Sequence, residues 1–232
     1  MKILALGNSF SEDCTAYLEQ MTEGALVRNL YIGGCSLERH AANLRGDVAD
    51  YELQKDGRWI GERHVSANEI LLSDAWDVIT VQQVSQLSGM YETHGAHLAA
   101  VLAFLRALCP TACIVWNQTW AYATYSTHGG FVNYGGDRER MHEAIDATAH
   151  RVARENDLGI IETGRAIAYL RRKLTPDGTE LCRDGFHLSF DYGRYAAAYT
   201  WAKYFALQVS DFVPTGADGT RIREIRDLLD NV

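Results

Sequence analysis

The stretch Lys2–Ser11, with the sequence KILALGNSFS, decides the fold of this 232-residue chain. Its continuous apolar run, Ile3–Leu6, is typical of a strand that is buried on both faces of a parallel sheet. Gly7 permits a tight turn directly after this strand. Ser9 then falls at the start of the next turn or helix, where free backbone N–H groups can meet an anion. Taken alone, the cluster is better explained by a serine, Ser9 or Ser11, that merely caps a turn.

Short apolar strands and amphipathic helices alternate along the rest of the chain. We predict further strands at 26–32, 76–81, 112–116 and 158–161, and helices at 14–23 (capped by Asp13), 37–44, 66–74, 98–108, 141–152, 191–207 and 222–229. This alternation favours an α/β fold in three layers, with one parallel sheet between two layers of helices. Asp56-Gly57 indicates a hairpin insertion at about 51–64. We see no break in composition and expect residues 1–232 to form one domain.

The composition restricts the classes of partner. The net charge of -8 disfavours a general nucleic-acid binder, which needs a basic face. No apolar stretch approaches the roughly 18 residues that span a membrane, and the apolar N-terminal run is too short for a signal peptide. The five cysteines form no C-x-x-C pair and predict reduced thiols, with no metal site. We therefore expect a cytoplasmic protein without a nucleic-acid or membrane partner.

A second motif, Arg183–Ser189 (RDGFHLS), places Asp184 three residues before His187. The carboxylate can reach the imidazole through a turn, fix its tautomer and stabilise its protonated form. The other ring nitrogen can then deprotonate a hydroxyl, which is what the hydroxyl of Ser9 needs to act as a nucleophile. On its own, this motif is also compatible with an exposed turn. Phosphate-binding glycine loops and the G-x-S-x-G elbow are not present.

Four sequence blocks together carry a family resemblance. They are Gly-Asn-Ser-Phe at 7–10, Gly-Gly-Cys-Ser at 33–36, Gln-Gln-Val-Ser at 82–85 and Asp-Gly-Phe-His at 184–187. In their order and approximate spacing, over nearly the whole chain, the sequence resembles the SGNH/GDSL hydrolase superfamily. It is most similar to a bacterial SGNH-type group with the stretches GNSFS, GGCSLE, QQxS, TWAYA and RDGxHLS. The resemblance implies a flavodoxin-like fold with a central parallel sheet of five strands, and no cofactor.

The resemblance also implies residue roles. Ser9 matches the nucleophile, His187 the general base and Asp184 the carboxylate that orients it. Gly34 matches the glycine whose backbone N–H forms the oxyanion hole together with the N–H of Ser9.

One block departs from the family pattern. Where the superfamily usually has Gly-x-Asn-Asp, with an asparagine donor to the oxyanion, this chain has Val84–Leu87 (VSQL). A glutamine amide can supply the same donor from a slightly different backbone position. Gln83 and Gln86 are the candidates, and we favour Gln83.

These residues predict hydrolysis of an ester through an acyl-enzyme. The expected partner is a small-molecule ester with a short acyl group, and analogy within the superfamily points to acetyl on a carbohydrate. Trp120 and Tyr122, in the long loop 118–136, are predicted to bind substrate. Aromatic packing that covers the carboxyl ends of the strands explains these rings equally well. Two alternatives stay open: a thioesterase or acyltransferase on the same triad, and a binding module that has lost catalysis.

Overall fold

The structure, a computed structural model, describes residues 1–174 and 181–231. Its centre is a sheet with the strands β1 (Lys2–Gly7), β2 (Leu26–Tyr31), β3 (Glu52–Lys55), β4 (Arg58–Trp59), β5 (Val78–Val81), β6 (Cys113–Asn117) and β7 (Gly159–Ile161). The strand order is β4-β3-β2-β1-β5-β6-β7. The five strands β2, β1, β5, β6 and β7 run parallel, as predicted. The sheet is larger than predicted because β3 and β4 form a hairpin that adds antiparallel to the edge of β2.

Helices cover both faces of the sheet. They are α1 (Ser9–Thr15), α2 (Leu18–Met21), α3 (Leu37–Gly46), α4 (Ala67–Leu72), α5 (Gly95–Leu108), α6 (Arg138–Asn156), α7 (Thr163–Leu174), α8 (Gly193–Tyr204) and α9 (Gly219–Asp230). One apolar core contains residues of α1, α2, α7, α8 and α9, the other contains residues of α3, α4 and α5, and α6 contributes to both. The three-layer α/β/α class is therefore confirmed. No helix of the described residues is long and apolar enough to cross a membrane.

The first strand shows why the sheet is buried on both sides. Ile3 and Ala5 belong to one apolar core, whereas Leu4 and Leu6 belong to the other. Successive side chains of a strand point to opposite faces, so four consecutive apolar residues supply both cores. This burial fixes β1 at the middle of the sheet and sets the position of the residues that follow it.

The helices differ from the prediction in two places. The helix expected at 14–23 with Asp13 as its cap begins instead at Ser9, because the side chain of Asn8 accepts a hydrogen bond from the backbone N–H of Phe10 at 3.0 Å. This helix ends at Thr15, and α2 is a separate short helix. The prediction also missed α7, although Ile167, Leu170 and Leu174 recur at helical spacing and are buried.

Candidate active site

Buried amide side chains join the carboxyl ends of three neighbouring strands. The Asn8 Nδ2 donates to the carbonyl of Cys35 at 3.0 Å, and its Oδ1 accepts from the Nε2 of Gln82 at 2.9 Å. The Oε1 of Gln82 in turn accepts from the Nδ2 of Asn117 at 2.8 Å. Buried hydrogen-bonded networks of this kind hold their members in one arrangement. Ser9 directly follows Asn8, so the first residue of α1 is held at the carboxyl ends of these strands.

Ser9 is the first residue of α1. Backbone N–H groups in the first turn of a helix have no partner within the helix, so the N–H of Ser9 can serve a ligand. The turn before it requires a glycine at position 7. A Cβ there would lie 2.4 Å from the Oγ of Ser11, which is held by hydrogen bonds to the carbonyl of Asn8 and the Oδ1 of Asn29.

Asp184 and His187 form a hydrogen-bonded pair. The Nδ1 of His187 lies 2.7 Å from the Oδ2 of Asp184, and the backbone N–H of His187 donates to Oδ1 at 2.8 Å. Partial burial acts to raise the pKa of Asp184, but the hydrogen bonds from the ring and backbone of His187 and from the backbone of Phe186 outweigh it and lower this pKa. The carboxylate therefore stays charged, accepts the Nδ1–H and leaves Nε2 as the basic nitrogen.

The turn that brings these two residues together depends on Gly185. Its φ is +89°, a region that side-chain-bearing residues rarely adopt. A Cβ at this position would also lie 2.8 Å from the Cα of Ser126. Both the backbone conformation and the close approach of the neighbouring loop therefore require glycine between the carboxylate and the imidazole.

Loops from four parts of the chain meet around a cleft of about 310 Å³. Ser9 lines it from the start of α1, Gly34 from the turn after β2 and Gln86 from the segment after β5. His187 lines it from the loop before α8, where its ring is paired with Asp184. The structure thus brings five of the predicted site residues together.

Gln83, the favoured oxyanion donor, does not lie in the cleft. Its Oε1 accepts from the backbone N–H of Leu37 and of Val84, at 3.0 and 2.9 Å. Its Nε2 donates to the carbonyl and the Oγ1 of Thr93, at 3.1 and 3.2 Å. The residue is buried, and both ends of its amide are used to join loops. The preference for Gln83 was wrong because the chain turns this side chain inward.

Gln86 is the glutamine that borders the cleft. Its backbone carbonyl accepts hydrogen bonds from the Nδ2 of Asn133 and the hydroxyl of Tyr134, at 3.0 and 3.2 Å. The Oγ of Ser85 lies 3.4 Å from the Oε1 of Gln86. The backbone contacts hold the short helical turn Ser85–Leu87 in place, and the NH2 group of the Gln86 amide is the end that can donate to a ligand.

Trp120 and Tyr122 are fully buried and do not line the cleft, so their predicted contact with substrate is wrong. The ring of Trp120 stacks on Phe10 with centroids 4.1 Å apart, and its Nε1 donates to the carbonyl of Phe186 at 2.7 Å. The hydroxyl of Tyr122 lies 2.8 Å from the Oγ of Ser85. The loop thus folds inward below the cleft, where the two rings pack against the residues that border it.

His128 lines the cleft and was not singled out as a site residue by the sequence. Its Nδ1 accepts a hydrogen bond from the backbone N–H of Gly130 at 3.0 Å, and its ring packs against Phe186. Burial and the neighbouring His187 lower the pKa of His128. A neutral ring with Nδ1 as acceptor carries its proton on Nε2 and is a hydrogen-bond donor.

Asp13 is the second residue whose role the sequence did not reveal. Its carboxylate is fully buried and accepts from the Nη1 of Arg183 at 3.0 Å and the Nε of Arg194 at 2.7 Å. The backbone N–H of Leu188 donates to its other oxygen at 2.7 Å. The Nη2 of Arg194 also donates to Glu12 at 2.7 Å. This cluster ties α1, which carries Ser9, to the loop that carries the Asp-His pair and to α8.

The arrangement offers a hydroxyl, a base paired with a carboxylate and several N–H donors around one cleft, which are the elements of acyl transfer. Among residues 1–174 and 181–231, no group of three or more His, Cys, Asp or Glu side chains is placed to hold a metal ion.

Comparisons with known proteins agree with this architecture. A family model described as a domain of unknown function, DUF4886, matches residues 2–216. The structure is similar to that of a DUF4886 family protein from Bacteroides uniformis, with 33% identity, a TM-score of 0.86, and coverage of 100% of this chain and 93% of that one. No curated protein matches the sequence.

More distant solved structures share the fold. A candidate SGNH hydrolase from Slackia heliotrinireducens has 22% identity and a TM-score of 0.62 over 88% of this chain and 98% of that one. A catalytic mutant of an acetylxylan esterase from Geobacillus stearothermophilus has 15% identity and a TM-score of 0.53 over 89% and 94% of the two chains. The resemblance to the SGNH/GDSL superfamily is therefore confirmed at the level of the fold.

Proposed function

The chain belongs to the DUF4886 family, and we propose that it is a serine hydrolase that cleaves a short-chain acyl ester through an acyl-enzyme. The observation that carries the proposal is the hydrogen bond of 2.7 Å between Asp184 and His187, on the same cleft as Ser9. A serine hydroxyl is a weak nucleophile at neutral pH and becomes reactive only beside a base. In the sequence, Ser9 lies 175 positions before Asp184 and 178 before His187, and in the fold Ser9 and His187 line the same cleft.

In the proposed reaction, the Oγ of Ser9 attacks the ester carbonyl carbon while the Nε2 of His187 takes its proton. The carbonyl oxygen becomes an oxyanion that accepts hydrogen bonds from the backbone N–H groups of Ser9 and Gly34 and from the amide of Gln86. The intermediate collapses, and His187 returns the proton to the departing alcohol oxygen. Water then attacks the acyl-enzyme by the same steps and releases the acid. Asp184 stabilises the protonated imidazole throughout.

The size of the cleft supports a short acyl group. Its volume of about 310 Å³ is at the small end of the roughly 300–1,000 Å³ that is typical of ligand sites. This space has to hold the acyl group and the first atoms of the alcohol together. The aromatic ring of Phe186 and the side chain of Val84 border it. We propose acetyl as the acyl group, in agreement with the acetylxylan esterase among the proteins of similar fold.

The test is hydrolysis of p-nitrophenyl acetate, butyrate and octanoate by the wild type and by Ser9→Ala. We expect turnover that is fastest with acetate and is lost in the variant, while the thermal unfolding temperature stays the same. Ser73→Ala, a change at an exposed serine at the end of α4, is the matched control and should keep full activity. Full activity in Ser9→Ala would refute the proposal.

Two other results would redirect the assignment. Transfer of the acyl group to an added alcohol or amine that outpaces hydrolysis would indicate an acyltransferase. A chain that hydrolyses none of the esters and does not react with an active-site phosphonate at Ser9 would be a binding module that keeps the fold without its chemistry.

A further inference from the structure

A second, larger groove opens beside the catalytic cleft, with a volume of about 1000 Å³. Glu12 and Arg183 line both spaces, so the groove lies directly beside the cleft. One wall is the β3–β4 hairpin, and the other is formed by Phe190 and its neighbours. At this volume the groove can hold a ligand several times larger than the group that fits around Ser9.

The groove exposes large apolar side chains that a folded protein normally covers. Trp59 is 42% exposed, Ile60 is 51% exposed and Phe190 is 56% exposed, and all three line this groove. Exposed apolar groups that cluster in one concave region mark a ligand-binding surface. Tyr17 adds a further ring, with its hydroxyl donating to the carbonyl of Phe190 at 2.6 Å. Flat rings of this kind match the C–H faces of sugar rings.

The charges in the groove are balanced, which argues for a neutral ligand. Arg183 is paired with Asp13, Arg194 with Glu12 and Lys55 with Glu19, the last at 2.7 Å. The remaining charged side chains on the lining are Asp56 and Arg58, which have opposite signs. An anionic ligand such as a phosphate is usually held by several available cations, and here most of the cations are already paired. A long acyl chain needs a continuous apolar wall, whereas this wall alternates rings with polar groups.

The hairpin wall is fixed relative to the nucleophile. Asp56 and Gly57 have φ values of +52° and +67°, the left-handed pair that a tight two-residue hairpin turn requires. The turn packs so closely that a Cβ at Gly57 would lie 3.2 Å from the Cβ of Ala16. The Nε2 of Gln54 on β3 donates to the Oε2 of Glu12 on α1 at 3.1 Å. A ligand in the groove is thus held at a set distance from Ser9, without a loop that must first be ordered.

We propose that this groove is the subsite for the alcohol half of the ester, and that this alcohol is a neutral oligosaccharide of two or more sugar rings. The inference rests on the proposed function for the acyl-transfer step, but the binding of the sugar does not depend on that step. Trp59 is the residue on which a ring stacks, and polar side chains of the lining, among them Gln20 and Arg58, are placed to meet its hydroxyl groups.

The kinetic test compares a small and a large alcohol. We expect kcat/KM to rise about tenfold from an acetylated methyl glycoside to acetylated oligosaccharides of three or four rings. Trp59→Ala should abolish this rise and lower kcat/KM for p-nitrophenyl acetate far less, whereas Trp59→Phe should retain most of the rise. Leu72→Ala, which removes a side chain that is 65% exposed on α4, is the control and should behave like the wild type. No dependence on ring number, or an equal loss on both substrates in Trp59→Ala, would overturn the proposal.

A binding test separates this inference from the catalytic one. Non-acetylated xylo-, cello- and manno-oligosaccharides of four rings are titrated into Ser9→Ala, with tryptophan fluorescence and calorimetry as readouts. We expect binding of at least one neutral oligosaccharide, weakened about tenfold in the Ser9→Ala, Trp59→Ala double variant. Binding with no serine-dependent hydrolysis would uphold the groove and refute the proposed function. Binding of polygalacturonate fragments or fatty acids in place of neutral sugars, or of none of these ligands, would refute the groove.

Discussion

Replacing Asp13 with alanine tests how the site is held together. The carboxylate accepts from Arg183, Arg194 and the backbone N–H of Leu188, and it is 0% exposed. The side chain of Arg194 is also largely buried, at 9% exposure, whereas that of Arg183 is 24% exposed. Removal of Asp13 takes one acceptor from each of two guanidinium groups and from one backbone N–H, although Arg194 keeps its bond to Glu12 and Arg183 its bond to the carbonyl of Leu188. The cost is therefore that of a broken buried ion pair, and not the small cost of a surface pair.

The magnitude follows from this burial. Breaking a buried pair by removing one partner costs about 3–5 kcal/mol, out of a total free energy of unfolding of roughly 5–15 kcal/mol for a typical protein. At roughly 2–4 °C per kcal/mol for a chain of this size, we expect the thermal midpoint to fall by about 6–20 °C. Because the same contact sets the position of the Asp-His loop against α1, we also expect kcat to fall about 10²-fold, as it does when catalytic groups shift by about 1 Å.

The assay is urea unfolding followed by fluorescence, together with hydrolysis of p-nitrophenyl acetate at a temperature where the variant is folded. Glu224→Ala, which removes an exposed pair with Arg221 on α9, is the matched control and should leave both readouts unchanged. A variant at position 13 that keeps the wild-type urea midpoint and the wild-type kcat would show that the cluster neither stabilises the fold nor positions the site.

Three further predictions concern single residues. Gln86→Ala should lower kcat by about 10²–10³-fold and leave the urea midpoint unchanged. Gln83→Ala should instead lower the urea midpoint. The reverse pattern would exchange the roles of the two glutamines. Asp184→Asn should lower kcat by up to about 10⁴-fold at neutral pH, since the amide cannot stabilise the protonated imidazole, and a loss under tenfold would contradict the triad. Burial lowers the pKa of His40 to about 3. The unfolded chain binds this proton below about pH 6.5 and the folded chain does not, so stability should fall as pH decreases from 6.5 toward 3. In His40→Gln this fall, measured by urea unfolding between pH 4 and 7, should be smaller; an identical slope would exclude the contribution.

The features that the sequence predicted correctly are local ones. Four consecutive apolar residues at 3–6 can satisfy two cores only as a central strand, so the parallel sheet follows from the pattern. The Asp-Gly-x-His spacing likewise determines its own geometry. A carboxylate three residues before an imidazole, with glycine between them, reaches both the ring and the backbone N–H of His187.

The features that the sequence missed depend on the direction of a side chain after a turn. Gln83 and Gln86 lie three residues apart, and the short helical turn at Ser85–Leu87 sends one inward and the other toward the cleft. Trp120 and Tyr122 are residue types that are also common in sugar-binding loops. In this fold, however, their polar atoms form hydrogen bonds inside the protein. Neither pattern could be read from residue types, because both alternatives satisfy the same local preferences.

The sequence by itself determined that a serine follows the first buried strand and that an Asp-His pair exists near the other end of the chain, because both are set by contacts between near neighbours. Only the tertiary structure decided what holds the two together. The partners of Asp13 lie 170, 175 and 181 residues away along the chain. A buried carboxylate is stable only beside such partners. Which cations reach Asp13 is decided when α1, α8 and the loop before α8 pack together on one face of the sheet.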